Sequence, residues 1–266
     1  MPRDEIALTE LRGEWREQHR LDMWIRSLAV IFVLLLASFS GYYGYTKYVQ
    51  NEQTPEQKAI AQAIKAIRAN PRSAAARVRL GVLYTQAGLT DTAIEQFDEA
   101  LKIARDDQEA LLYAGIAYLN KGDYDQAIKY FDKEIKYYKN TALAGTNISL
   151  EQAYYYSAVI HWREKDYDLV IDNAAKALKI KASSADTHLL LGRAYYEKKS
   201  YDEAIASFDQ ALRFDPTYPD ALYGAGLAYE GKGDKEKALE QYRKALKAKP
   251  DFKQAADAVK RLESAA

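Results

Sequence analysis

From about residue 56 onward, apolar and polar residues alternate with the spacing of amphipathic helices, and the alternation recurs. The stretches RLGVLYTQAGLTDTAIEQFDEAL, YAGIAYLNKGDYDQAIKYFDKEI, LLGRAYYEKKSYDEAIASFDQAL and GAGLAYEGKGDKEKALEQYRKAL align with one another. Gly81 and Gly115 lie 34 residues apart, as do Gly192 and Gly226. Each unit predicts two helices joined by a short polar turn. The first carries small residues and Tyr on one stripe, and the second carries Ala and aromatic residues at i, i+3 and i+4 spacing. Small side chains let two helices approach closely, and the rings fill the space beside them. A period of this length predicts an all-α solenoid in which each helix pair buries its apolar face only by stacking on its neighbours.

A different pattern precedes the repeats. From Ser27 to Thr46 the chain carries no charge, enough for a helix of about 30 Å, the thickness of a bilayer's hydrocarbon core. Trp24 at one end and Tyr42, Tyr43, Tyr45 and Tyr48 at the other suit the two membrane interfaces. A cleaved signal peptide is the alternative, since the strongest apolar run, Leu28 to Ala37, is short and small residues precede Gly41. The leading segment holds Asp4, Glu5, Glu10, Glu14, Glu17 and Asp22 rather than a short positive stretch, which favours an anchor. Arg20 and Arg26 against Lys47 predict a cytoplasmic N-terminus with the repeats outside the cytoplasm. The expected organisation is a cytoplasmic segment 1–26, a transmembrane helix 27–46, a linker 47–55 and a solenoid 56–264.

Position by position, the unit from Ala185 offers Leu191, Gly192, Tyr195, Ala204, Phe208, Ala211 and Pro216. The unit from Pro219 offers Leu222, Gly226, Tyr229, Ala238, Tyr242, Ala245 and Pro250. The unit from Ala74 lacks the Pro, and the unit from Gln108 has Glu134 where Ala is expected. A weaker unit from Glu151 keeps Ala158, Ala174 and Ala177 but has His161 in place of Tyr. This pattern resembles the tetratricopeptide repeat (TPR) family. The resemblance implies about five helix-turn-helix repeats, 74–107, 108–141, 151–184, 185–218 and 219–252, with capping helices at 56–70 and 253–264. The two halves are out of step by nine residues, so 142–150 reads as an insertion, with Ser149 and Gln152 as the capping box that restarts the helix.

Composition removes several classes of function. Thirty-eight basic and 38 acidic side chains cancel, which gives no basic field for nucleic acid. The absence of cysteine excludes disulfides, thiolate metal sites and cysteine nucleophiles. The stretch GLAYEGKG imitates a phosphate-binding loop, but Gly233 stands where the Ser or Thr should be, and the segment lies within a helix pair rather than between strand and helix. His19, His161 and His188 have no metal-ligand spacing. Asp123 with Asp125, and Asp166 with Asp168, recur at turns and predict helix caps rather than acid-base pairs. Asn147 heads an Asn-x-Ser sequon. No catalytic residue, cofactor, metal site or small-molecule substrate is indicated.

The resemblance further implies that motif positions 2, 5, 9, 12 and 13 face a groove. Position 9 reads Val, Ile, Val, Arg and Leu, without the Asn used by TPR grooves that clamp a C-terminal carboxylate. The candidate partner-binding residues on that basis are Tyr155, Trp162, Arg163, Leu189, Arg193, Tyr196 and Tyr223, an aromatic and cationic surface for a protein or peptide segment. The insertion and the irregular unit after it are the expected distinctive part of that surface. The functional expectation is a membrane-anchored, non-catalytic interaction scaffold or assembly factor; the alternative is a permanent structural subunit of a membrane complex.

Overall fold

A computed structural model describes residues 54–138 and 145–264. The chain divides into two units, Met1–Lys58 and Ala59–Ala266, and the helical stack belongs to the second. The expected membrane span, 27–46, lies outside the described residues; among these no helix is long and apolar enough to cross a membrane.

The described residues form twelve helices and no strand: α1 (Pro55–Ala69), α2 (Ala74–Gln86), α3 (Thr90–Ile103), α4 (Gln108–Lys121), α5 (Tyr124–Tyr138), α6 (Ile148–Glu164), α7 (Tyr167–Ile180), α8 (Ala185–Glu197), α9 (Tyr201–Phe214), α10 (Pro219–Gly231), α11 (Lys235–Ala248) and α12 (Lys253–Ser264). From α2 to α11 they pair as helix-turn-helix repeats, and each second helix packs on the first helix of the next repeat. The first helices also adjoin one another, α2 with α4, α4 with α6, α6 with α8 and α8 with α10, so they form the inner side of the stack.

In four of the five repeats a glycine and a ring set the helix separation. A β-carbon on Gly81, Gly115, Gly192 or Gly226 would lie 2.4–2.7 Å from the ring of Phe97, Phe131, Phe208 or Tyr242. The third repeat solves the same problem differently, with fully buried Ala158 and Ala174 at the two equivalent positions. A methyl on each helix replaces the hydrogen on one and the ring on the other, which explains why this unit looks degenerate yet stays in register.

The turn inside each repeat places one residue in the left-handed region: Gly88, Gly122 and Gly233 in three repeats, but Lys165 and Lys199, both at φ 61°, in the other two. A β-carbon costs roughly 1–2 kcal/mol there. Lys199→Gly should therefore stabilise the protein by about 0.5–1 kcal/mol, the gain being reduced by glycine's freedom in the unfolded chain. Chemical denaturation checks this, and an unchanged or lower midpoint would contradict it.

Helix starts are capped as expected at Asp123, which accepts from Gln126 N at 3.1 Å, and at Asp166, which accepts from Leu169 N at 3.1 Å. The restart after the expected insertion, 142–150, differs. Helix α6 begins at Ile148, and Asn147 Oδ1 accepts from Leu150 N at 2.8 Å, so the cap is Asn147 and Ser149 lies in the first turn. An extended Asn with a short amide acceptor caps as well as Ser does, and here it claims the first free backbone donors two residues earlier.

One junction departs from the others. Lys121, Lys198 and Lys232, each just past or at the end of a first helix, bridge to Asp91, Asp168 and Asp202 of the preceding repeat. Between the second and third repeats the corresponding positions hold Glu164 and Asp125, two acids lining one open hollow. Exposed pairs contribute only about 0–1 kcal/mol each, but the same junction also holds Glu134. At that motif position Ala100, Ala177, Ala211 and Ala245 are fully buried. Glu134 is fully buried too, neither carboxylate oxygen has a hydrogen-bond partner among the described residues, and burial, aided by the nearby Asp107 charge, pushes its carboxyl up to about 8.

Candidate functional site

On the inner side, α6, α8, α10 and the start of α12 enclose a hollow of about 250 Å³. Its apolar lining comes from Trp162, Tyr196, Phe208, Tyr223, Leu227 and Phe252. Neighbouring rings hold the three at its mouth. Trp162 packs on Tyr167 with centroids 5.4 Å apart, Tyr196 on Tyr201 at 5.9 Å, and Tyr223 between Tyr242 at 5.5 Å and Phe252 at 5.2 Å. These contacts set the rings before any ligand arrives, so little side-chain entropy remains to be lost on binding. Burial raises the phenol pKa values of Tyr196 and Tyr223.

The polar rim is short. Arg193 on α8 donates to Asp220 Oδ1 on α10 at 2.8 Å, and Glu197 and Gln254 complete it. Glu230, one turn beyond Leu227, accepts from both guanidinium NH2 groups of Arg261 and from the Tyr242 hydroxyl at 2.9 Å, and the Arg261 bonds hold its carboxyl below the usual range.

Four of the seven sequence-derived residues, Trp162, Arg193, Tyr196 and Tyr223, meet in this hollow. The other three do not. Leu189 is only 6% exposed and packs with Ala204 and Phe208 in the core. Tyr155 is half-buried with its ring edge-on to Tyr156, 5.3 Å away, and packs among the residues that join α6 to α8. Arg163 is exposed but lies over the Tyr124 ring at 5.5 Å, at the turn edge of the second repeat. Sequence reasoning left out Phe208, Gly224, Phe252 and Gln254. Extending the 34-residue frame once more makes Lys253 a first position and puts Gln254 at a groove-facing one, so α12 serves as a sixth first helix as well as a cap.

A larger hollow, about 640 Å³, lies between the end of α3 and α5, lined by Arg105, Lys133, Lys136, Tyr130 and Tyr137 among others. It is more polar and more open, and it is formed mainly by second helices on the outer side. Among the described residues no group of three or more His, Asp or Glu side chains could hold a metal ion.

This geometry defines a class: a helical-repeat solenoid with a preset aromatic hollow on its inner face. Family models described as tetratricopeptide repeat match residues 57–108, 85–144 and 219–252, and one described as TPR repeat matches 192–233. The chain belongs to the tetratricopeptide-repeat family. The span between the matches, 145–191, holds the third repeat with its Ala158–Ala174 pairing.

Among solved structures the chain is similar to YrrB, described as a TPR protein with an unusual peptide-binding site, at 24% identity over 74% of this chain and 97% of that one, with a TM-score of 0.62. It is similar to MamA at 24% identity over 68% and 94%, TM-score 0.59. To MamA from Desulfovibrio magneticus RS-1 it is similar at 23% over 67% and 96%, TM-score 0.59. Likeness at this identity establishes the fold. No curated protein matches the chain.

Proposed function

We propose that the protein is a membrane-anchored, non-catalytic scaffold or assembly factor that holds a partner polypeptide in the groove of its third to fifth repeats. The observation that carries this reading is the convergence of Trp162, Tyr196 and Tyr223, from three different first helices, on one hollow beside the Arg193–Asp220 pair. Clustered aromatic side chains around a desolvated centre are the usual source of interface affinity. The peptide-binding site for which YrrB is described supports a peptide as the kind of ligand. The anchor is the uncharged run 27–46, and the charge bias beside it favours repeats outside the cytoplasm.

Detergent extraction and affinity purification of the full chain should recover a partner polypeptide, and Trp162→Ala with Tyr223→Ala should weaken its binding by at least about tenfold. Unchanged retention by the double variant, with its helical content intact, would refute the groove. A partner recovered at fixed one-to-one stoichiometry through every step would instead mark a permanent subunit.

A further inference from the structure

The charges around the hollow do not balance. Arg193 and Asp220 neutralise one another at 2.8 Å, and Glu230 is taken up by Arg261 and Tyr242. Glu197, one turn beyond Arg193 on α8, is exposed and lines the same hollow, and no ion pair or hydrogen bond among the described residues engages its carboxylate. Among the residues that line the hollow, Glu197 thus leaves an uncompensated negative charge beside the aromatic rings. The cavity, about 250 Å³, is smaller than the roughly 300–1,000 Å³ typical of small-molecule pockets. Its size suits one bulky side chain delivered by a polypeptide. Trp162 and Tyr196 line the same hollow, and a cation seated over an aromatic face is attracted by the negative charge that the ring quadrupole places there.

Resting on the groove reading above, we infer that the preferred partner segment seats one large apolar side chain in this hollow and sets a Lys or Arg next to it against Glu197. The apolar anchor supplies affinity, and the neighbouring cation supplies selectivity, because rim charges discriminate between partners more than they hold them.

A random peptide library selected against the full chain in detergent provides the test. Wild type should enrich peptides with Leu, Phe or Trp beside Lys or Arg. Against Glu197→Gln a selected peptide of that kind should bind about three- to fivefold more weakly, the range of an exposed ion pair. Selection on Glu197→Lys should replace the basic neighbour by Asp or Glu. Glu197 is exposed and outside the core, so both variants should keep the wild-type melting profile. An unchanged neighbour preference in Glu197→Lys, with binding still dependent on Trp162 and Tyr223, would overturn the inference and leave the groove standing. Selected peptides indifferent to Trp162→Ala and Tyr223→Ala would overturn both.

Discussion

Glu134→Gln is expected to stabilise the protein by about 2–3 kcal/mol at neutral pH and to remove most of a pH dependence that the parent chain shows. The carboxyl titrates near 4.5 when solvated and at about 8 when folded. Between those values the native state keeps a proton that the unfolded chain has released. Stability therefore falls as pH rises through this window, by up to about 1.4 kcal/mol per unit, and levels off above about pH 8. Glutamine has nearly the same volume and no charge to desolvate, so its advantage should vanish near pH 4.5 and grow toward pH 8. Urea denaturation at several pH values measures both effects. Parallel curves for the two proteins would show that Glu134 reaches water or a partner. The gain should centre on the junction where the Lys–Asp bridge is also missing, so hydrogen exchange of α5 and α6 should slow more than that of α9 and α10.

Phe208→Ala is expected to cost about 3–5 kcal/mol, the range for emptying a buried aromatic site. Phe208 is 1% exposed and wedged between two glycines: a β-carbon on Gly192 would lie 2.7 Å from its ring, and one on Gly224 would lie 2.6 Å away. Gly192→Ala alone should cost about 1–2 kcal/mol, overpacking outweighing the gain in helix propensity. The two changes together should cost less than their sum, because the new methyl occupies part of the space the ring leaves, with a coupling on the order of 1 kcal/mol. Ala158 and Ala174 are that double replacement, already in use in the third repeat. Additive costs would mean that the ring and the glycine do not share the contact. Because Phe208 also floors the hollow, its removal should weaken partner binding beyond the loss of folded protein.

The residues that made the repeat legible in sequence are those whose role is local. Gly, Ala and aromatic positions recur because each must fit a partner on the adjacent helix at fixed spacing. The same periodicity assigns Trp162, Arg193, Tyr196 and Tyr223 to one face, and the fold brings these four to one hollow. Leu189 lies instead in the core, where the first-helix stripe turns far enough inward that a groove position becomes a core position. Arg163 lies away from the hollow because a long side chain near a helix end can swing to a neighbouring ring, here Tyr124, which no linear motif encodes. Tyr155 packs between α6 and α8, edge-on to Tyr156, a burial that position in the motif does not encode. The polar face of the last helix suggests a cap alone and hides the part that Phe252 and Gln254 take in lining the hollow. Glu134 is visible as an exception to the pattern, but the lack of a hydrogen-bond partner for it among the described residues is a property of the folded chain.

If the inner face of the third to fifth repeats is the binding surface, hydrogen exchange on the full chain, with and without saturating library-selected peptide, tests it most directly. Exchange is expected to slow in α6, α8 and α10 and at the start of α12, with α7, α9 and α11 changed little. Protection confined to the second helices, or to the hollow between α3 and α5, would contradict it.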